Sequence, residues 1–284
     1  MQEVVTGYGL IEGPVWDRDM GLYFRDVRDG GIHLLDHAGE VITVLPRRRG
    51  VGGIALHEDG GLVFGGRDIS WSPLDGGDGK VLLTASDAAK DDSPAIGFND
   101  LTTDAQGRIW VGSLAFRVFS GDEPKPGGLH VIDLDGAMRT VAGGVMLTNG
   151  LGFSPDGRRL YHSDTRSRAV RVYDIAADGA VEGWRRFVQF DGGADGLKVA
   201  ADGSVWVADA QGGRVAVFEP DGAHRQDITV PLPMVTSLCF GGDDLRDLYV
   251  VTGSDRAPTE TSGTIFRTRV DVPGQPLPAC RVTL

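Results

Sequence analysis

Residues 146–165, MLTNGLGFSPDGRRLYHSDT, contain the pattern that decides the fold of this 284-residue chain. A polar residue, Asn149, precedes a short apolar segment, a turn follows at residues 154–157, and a strand-like run then ends in Asp164. Short β-forming runs joined by a turn that contains Asp-Gly are typical of antiparallel hairpins. The stretch therefore predicts one strand, one turn and a second strand.

The same order recurs along the chain. It can be aligned on the residue pair that opens each second strand, and successive pairs lie between 40 residues (Leu22 to Leu62) and 51 residues (Ile109 to Leu160) apart. A period in the forties with short β-rich runs is the signature of four-stranded propeller blades. Helical repeats of similar period need long segments with a 3.6-residue periodicity, and the sequence has none. The six pairs are Leu22-Tyr23, Leu62-Val63, Ile109-Trp110, Leu160-Tyr161, Val205-Trp206 and Leu248-Tyr249.

Six repeats that close into a ring predict an all-β fold, with residues 1–284 forming a single six-bladed β-propeller domain. An open ring would leave an unpaired sheet edge between the first and last blades. The early segment 3–6 can supply a strand to the blade near the C-terminus, where segments 265–270 and 280–283 are its candidate partners. We therefore expect one blade to combine strands from both ends of the chain.

One position about ten residues before each pair is expected at the same height on the innermost strand of every blade. In four repeats it carries a side-chain oxygen, so four oxygen donors are expected to converge on the central channel. Such a set suits a hard divalent metal ion, Ca²⁺ first, with Mg²⁺ or Mn²⁺ as alternatives. An Asn or Asp before Gly is ordinarily a turn residue, which is the competing interpretation of any one position. The four residues are Glu12, Asn99, Asn149 and Asp195.

Five motif-bearing segments follow one another in a fixed order: IEGPVW (11–16), GFNDLTTDAQGRIWVGSL (97–114), TNGLGFSPDGRRLYHSD (148–164), ADGLKVAADGSVWVADAQGGRV (194–215) and TSLCFGGDDLRDLYVVTG (236–253). Together they resemble the SMP-30, gluconolactonase and luciferin-regenerating-enzyme family over nearly the whole chain. In that family a six-bladed propeller holds one divalent ion in its channel. The resemblance implies that Glu12, Asn149 and Asp195 are metal ligands, and that Asn99 contacts substrate or completes the metal shell.

The resemblance also implies a reaction. It points to a metal-dependent lactonase, a hydrolase that opens a sugar-acid (gluconolactone-like) or related lactone while the cation polarises the carbonyl. Asp195 matches the family's usual candidate for the general base, and Asn99 can hydrogen-bond the developing oxyanion or a substrate hydroxyl. The expected cofactor is one divalent cation, Ca²⁺ first, with Zn²⁺ as a further alternative to Mg²⁺ and Mn²⁺.

Two departures from the family pattern concern the substrate. Sugar lactonases of the family commonly carry an Arg two residues before the Asn of FND, where this chain has Gly97. They often carry an acidic residue eighteen positions after that Asn, where this chain has Arg117. Arg117 can therefore reach the pocket from a loop of the third repeat, with Phe98 and Met146 as apolar substrate contacts. The competing interpretation of Arg117 is a solvated loop residue.

Charge and hydropathy limit the partners. A formal net charge of -12 argues against nucleic acid and anionic membranes, which need a basic surface. The basic run Arg47-Arg48-Arg49 is expected to be a solvated loop. No apolar run reaches the roughly 18 to 20 residues of a membrane helix, and the start MQEVVTGYGL lacks the pattern of a signal peptide. The expected location is cytoplasmic, with a small-molecule lactone as partner.

Two other functions remain open at this stage. A phosphotriester hydrolase similar to diisopropylfluorophosphatase could use the same cation and the same oxygen ligands. A Ca²⁺-stabilised propeller could instead bind a partner without catalysis. The sequence leaves open which lactone is used, which metal is physiological, and the oligomeric state.

Overall fold

The computed structural model describes residues 1–46, 52–89, 95–176 and 178–284. Within these ranges the chain forms six four-stranded antiparallel sheets and one short helix, α1 (Ala85–Ala88). No helix of the described ranges is long and apolar enough to cross a membrane. The basic run at 47–49, expected to be a solvated loop, lies outside the described residues.

Each sheet is one blade of a six-bladed β-propeller, as the repeats predicted. Blade one contains β2 (Ile11–Asp17), β3 (Gly21–Asp26), β4 (Ile32–Asp36) and β5 (Val41–Leu45), and blade two contains β6 (Ile54–Leu56), β7 (Leu62–Phe64), β8 (Ile69–Ser72) and β9 (Lys80–Leu83). Blade three contains β10 (Gly97–Thr103), β11 (Ile109–Leu114), β12 (Gly127–Ile132) and β13 (Met138–Val145), and blade four contains β14 (Thr148–Phe153), β15 (Arg159–Asp164), β16 (Ala169–Ile175) and β17 (Val181–Gln189). Blade five contains β18 (Ala194–Val199), β19 (Val205–Asp209), β20 (Arg214–Phe218) and β21 (His224–Thr229), and blade six contains β22 (Val235–Gly241), β23 (Asp247–Thr252), β24 (Gly263–Arg269) and β1 (Gln2–Tyr8).

The second strand of every blade is its buried centre. Each of these strands carries one of the residue pairs on which the repeats were aligned, and the first member of every pair is 0 % exposed. In the described part of the chain the core divides into six apolar clusters, one between each two neighbouring blades. Because each blade buries both faces against its neighbours, stability requires the complete ring.

The innermost strands approach each other so closely that glycine is required at two places. A Cβ on Gly150 would lie 2.0 Å from the backbone nitrogen of Leu197, and a Cβ on Gly196 would lie 2.1 Å from the hydroxyl of Ser237. Both glycines lie inside strands, in β14 and β18. The turn interpretation of Asn149-Gly150 and Asp195-Gly196 is therefore wrong, because these two glycines serve close packing between blades.

The ring is closed by pairing of β1 with β24. The two strands run antiparallel from the Gln2–Arg267 pair to the Tyr8–Gly263 pair, which confirms the expected blade with strands from both ends. The prediction that segment 280–283 is a second partner of this strand is wrong. Cys280 instead forms a parallel bridge with His57, in blade two.

Residues 271–284 cross the ring at the end where the inner strands finish. Gln275 Nε2 donates to the carbonyl of Phe153 at 2.9 Å, and the Cys280 amide donates to the carbonyl of Leu56 at 2.7 Å. These two carbonyls belong to the last residues of β14 and β6. The segment therefore covers the channel at the end where the inner strands finish. The residues predicted as a site lie at the opposite end, where the inner strands begin.

Two histidines are fully buried inside blades three and four. His130 Nε2 contacts the hydroxyl of Ser113 at 2.9 Å, and His162 Nε2 contacts the hydroxyl of Thr148 at 2.7 Å. Burial lowers the pKa of His130 to about 4, and burial together with the charge of Arg171 lowers the pKa of His162 to about 3. Both rings are neutral in the folded protein near pH 7.

Acidification should therefore weaken the contribution of these two histidines to stability. The unfolded histidines take up a proton near pH 6.5, whereas the folded ones stay neutral down to about pH 4 and 3, so their contribution to the free energy of unfolding falls as pH drops below about 6.5. We expect a loss of about 2 kcal/mol for each histidine between pH 7 and pH 5, measured by urea unfolding. His130→Gln should flatten this pH dependence, and the exposed control His37→Gln should not. Equal slopes in the two variants would contradict the prediction.

Candidate functional site

The four oxygen-bearing residues predicted to face the channel lie near the start of inner strands β2, β10, β14 and β18. In each of these strands one extra residue is present relative to the partner strand, so the same bulge recurs in four blades; it contains Asn99, Asn149 and Asp195 and directly follows Glu12. Such bulges turn a side chain away from the regular sheet direction and are common next to sites. Glu12, Asn149 and Asp195 are 7 %, 6 % and 5 % exposed, and Asn99 is partly exposed.

The two predicted amides are in direct contact. Asn99 Nδ2 donates to Asn149 Oδ1 at 2.7 Å and to the carbonyl of Thr148 at 2.8 Å. Asn149 Nδ2 donates to the hydroxyl of Thr165 at 2.7 Å. Both hydrogens of the Asn99 amide are therefore engaged, and donation from Asn99 to a substrate oxygen requires one of these bonds to be exchanged.

Arg25 belongs to the same group, and sequence reasoning missed it. It lies opposite Glu12 in the β2–β3 register and is 3 % exposed. Its Nη2 lies 3.3 Å from Asn99 Oδ1, 4.0 Å from Glu12 Oε2 and 3.7 Å from Asp100 Oδ1. The available signal was a charged residue within LYFRD, a strand that the repeat pattern predicts to be buried.

The carboxylates of this group are short of favourable partners. Glu12 Oε2, Asp100 Oδ1 and Asp195 Oδ1 are buried and accept no hydrogen bond within the described structure. Burial raises the pKa of Glu12 to about 8, with repulsion from Asp100 adding to the rise and Arg25 opposing it. Burial and repulsion from Glu12 and Asp100 likewise raise the pKa of Asp195 well above its usual range. The guanidinium of Arg25 therefore does not cancel the rise in either pKa.

These residues fit a hard divalent cation. Over the described ranges, no three His, Cys, Asp or Glu side chains are grouped closely enough to hold a metal ion, so a shell here must include amide oxygens. Two carboxylates with unpartnered oxygens, Glu12 and Asp195, together with the amides of Asn99 and Asn149, make an all-oxygen donor set. A buried excess of negative charge is stabilised by a bound cation.

A cavity lies at the end of the channel opposite the four predicted residues. Its volume is about 750 Å³, and residues of blades three, four and five and of the C-terminal segment line it, among them Arg108, Phe153, Lys198 and Gln275. None of the four predicted residues lines it, and its charged side chains are of both signs. We place the candidate site at the opposite end, where the unpartnered carboxylate oxygens are found.

The predicted apolar substrate contacts occupy different environments. Phe98 is 2 % exposed and packs in the apolar cluster between blades two and three. Met146 is half-buried just before β14, and its backbone nitrogen donates to Asp164 Oδ2 at 3.1 Å. Met146 therefore lies at the rim where the inner strand of blade four begins, whereas Phe98 belongs to the core beside the site.

Arg117 is not brought to the four residues. It lies in the connection between β11 and β12 with 69 % of its side chain exposed. Its Nε and Nη2 each donate to the carboxylate of Asp122 at 2.9 Å. Its role in substrate binding stays a prediction, since a substrate has to compete with Asp122 for the guanidinium.

Comparison with known proteins identifies relatives of this chain. A family model described as the SMP-30/Gluconolactonase/LRE-like region matches residues 10–254. The chain is 34% identical over 277 residues to 6-deoxy-6-sulfogluconolactonase of Pseudomonas putida, covering 93% of this chain and 92% of the relative. It is 32% identical over 289 residues to the pentonolactonase XacC of Haloferax volcanii, covering 96% and 95%. The solved structure of regucalcin from Agrobacterium tumefaciens, described as a calcium-binding protein, has the same fold, with a TM-score of 0.85 at 21% identity and coverage of 99% and 97%.

The matched region extends from the residue before β2 to just beyond β23. It therefore includes the inner strands that carry all four predicted residues. The two curated relatives also align with this chain over nearly their whole lengths. On this evidence the chain belongs to the SMP-30/gluconolactonase/LRE-like family.

Proposed function

We propose that this protein is a lactonase, a hydrolase that opens the cyclic carboxylic ester of a sugar acid or a related lactone. Two curated relatives that align along nearly the whole chain are named as lactonases of this kind. Within this chain, one observation carries the proposal. Two buried carboxylates with unpartnered oxygens, Glu12 and Asp195, lie in one group with two hydrogen-bonded amides at one end of the channel.

In this proposal Glu12, Asn149 and Asp195 hold one divalent cation, and Asn99 completes the shell or contacts substrate. Ca²⁺ is the first choice, because the donors are carboxylate and amide oxygens, and Mg²⁺, Mn²⁺ or Zn²⁺ are the alternatives. The neighbour from Agrobacterium tumefaciens is described as calcium-binding, which agrees with this choice. When bound, the cation supplies a Lewis acid that polarises the lactone carbonyl.

The protein residues then have separate tasks. Asp195 takes a proton from the attacking water as the new C–O bond forms, and the ring C–O bond breaks with protonation of the leaving oxygen. Asn99 can stabilise the developing oxyanion or bind a substrate hydroxyl once one of its present hydrogen bonds is exchanged. Burial of the group excludes competing water and strengthens these electrostatic contacts.

The other two functions have weaker support. Phosphotriester hydrolysis would use the same oxygen ligands, and a binding-only propeller would need them for stability alone. The lactonase names of the relatives support hydrolysis of a cyclic carboxylic ester over both alternatives. Proton release from aldonolactones, aliphatic lactones and a phosphotriester, each with and without a chelator, distinguishes the three.

Removal of the cation should lower the melting temperature, because an ion bound only by the folded ring stabilises it by mass action. At a Ca²⁺ concentration of 100 times the Kd the gain is about 2.7 kcal/mol, which corresponds to a shift of roughly 5 °C. Calorimetry in Ca²⁺ and in EDTA measures it. Glu12→Gln should lose most of the shift, and Glu3→Gln, an exposed control on β1, should keep it. An unchanged wild-type Tm would contradict the metal site.

Asp195→Asn should separate metal binding from catalysis. The amide can keep an oxygen for the cation but cannot accept the proton of water, so we expect metal retention and a fall in kcat of about 10² to 10⁴-fold. A pH-stat assay with an aldonolactone measures the rate, and calorimetry measures the bound metal. Asp191→Asn, at an exposed carboxylate four residues earlier, is the control and should leave kcat unchanged. Full turnover in Asp195→Asn would remove Asp195 from the role of base.

Arg117→Ala tests the predicted contact with a polar or anionic substituent of the substrate. If the guanidinium binds that substituent, the variant should lose about 1 to 3 kcal/mol of transition-state stabilisation on a substituted lactone and much less on an unsubstituted one. The ratio of kcat/KM values for the two lactones measures this difference.

Asp122→Ala is the matched control for Arg117→Ala, because it breaks the same ion pair from the other side. A guanidinium that serves the substrate should then be released, so KM for the substituted lactone should stay the same or fall. If both variants lower activity equally on both lactones, the pair only stabilises its loop, and Arg117 has no part in selectivity.

A further inference from the structure

A series of hydrogen bonds, each group accepting from the one before it and donating to the next, connects four blades at this end of the channel. Arg25 Nη2 donates to Asn99 Oδ1 at 3.3 Å, and Asn99 Nδ2 donates to Asn149 Oδ1 at 2.7 Å. Asn149 Nδ2 donates to the hydroxyl of Thr165 at 2.7 Å, and that hydroxyl donates to the carbonyl of Ala194 at 2.6 Å. This series of hydrogen bonds runs from blade one through blades three and four to blade five, where it ends at the residue before Asp195.

The chemistry of the two ends determines this direction. A guanidinium can only donate and a carbonyl can only accept, whereas a hydroxyl can do both. The Thr165 hydroxyl donates its hydrogen to the Ala194 carbonyl, so toward Asn149 it can only accept a hydrogen bond. The NH₂ group of the Asn149 amide must therefore face this hydroxyl. The oxygen of Asn149 then has to face the other way, toward Asn99.

Each amide oxygen in the chain keeps room for a further contact. A carbonyl oxygen has two lone pairs, and Asn149 Oδ1 receives one hydrogen bond, from Asn99. The second lone pair is available to a ligand in the channel. If the Asn149 amide were reversed, its NH₂ group would face that ligand and would repel a cation.

Thr165 itself is held firmly by its neighbours. Its backbone nitrogen donates to the carbonyl of Leu147 at 3.0 Å. The preceding residue, Asp164, is 0 % exposed and accepts hydrogen bonds from the backbone nitrogens of Met146 and Leu147, each at 3.1 Å, and from Arg171 Nη2 at 2.8 Å. The loop between β15 and β16 is thereby tied to the start of β14, which carries Asn149.

We propose that Thr165 is a positioning residue of the site: its hydroxyl holds the Asn149 amide with the oxygen directed into the channel, and Arg25 holds the Asn99 amide in the same sense. The inference deepens the proposed function, on which it rests for the identity of the ligand, a divalent cation that prefers oxygen. The hydrogen-bond chain itself is independent of that identity and can be tested without metal.

The test is a matched pair of variants, Thr165→Ser and Thr165→Val, in the full-length protein. Serine keeps the hydroxyl, so Ca²⁺ affinity measured by calorimetry should stay within about twofold of wild type. Valine has nearly the same shape but accepts no hydrogen bond, so Ca²⁺ affinity should fall about 10- to 100-fold, as is usual when a partner of a metal ligand is removed. At saturating Ca²⁺ the valine variant should recover most of its kcat, since the ligand oxygen is still present.

A second readout works without metal. The side-chain amide of Asn149, assigned by its loss in Asn149→Ala, should give the same NMR signals in wild type and Thr165→Ser and shifted or broadened signals in Thr165→Val. If the valine variant does not fold by near-ultraviolet circular dichroism, Thr165→Ala takes its place. Equal Ca²⁺ affinity and equal amide signals in the serine and valine (or alanine) variants would overturn the proposal.

These outcomes separate the inference from the proposed function. A wild-type protein that neither binds divalent cations nor hydrolyses lactones would refute the proposed function, while the amide signals would still support or overturn the role of Thr165. A variant that only lowers Tm, with unchanged Ca²⁺ affinity and unchanged amide signals, would show a merely structural role and overturn the inference alone.

Discussion

The antiparallel pairing of β1 with β24 is the interaction on which the rest of the structure depends. It joins the first strand of the chain to the last blade and removes the sheet edge that an open ring would expose. The hydroxyl of Thr236 in blade six donates to the carbonyl of Ile11, which directly precedes Glu12. Closure therefore brings Glu12 beside the inner strands of the later blades, and without it Glu12 and Asp195 would have no common channel to face.

The channel end that results is electrostatically unfavourable without a ligand. Burial and repulsion from neighbouring carboxylates raise the pKa values of Glu12 and Asp195 even though the guanidinium of Arg25 opposes both shifts. Removing charge from water is costly unless an opposite charge compensates for it, and Arg25 compensates for Glu12 and Asp195 only in part. Such a local conflict with stability is expected where a protein binds a charged ligand.

A second layer of polar contacts makes the arrangement rigid. The Asp164 carboxylate accepts bonds from two backbone nitrogens ahead of β14 and from Arg171, while His162 contacts the hydroxyl of Thr148. Both contact residues that directly precede Asn149, so buried groups on β15 hold the start of the strand that carries this amide. Rigid support of this kind reduces the reorganisation needed when a ligand binds.

The sequence by itself determined the number of blades, the second strand of each blade and the residues that begin the inner strands. These features repeat at a regular interval, and a repeat is visible in local sequence. The tertiary structure alone decided that Gly150 and Gly196 serve close packing, that Arg25 joins the site, and that the C-terminal segment crosses to blade two. Arg25 and Asn99 are 74 residues apart in sequence. No local pattern encodes such a contact, because it depends on how the closed ring rotates one blade against another.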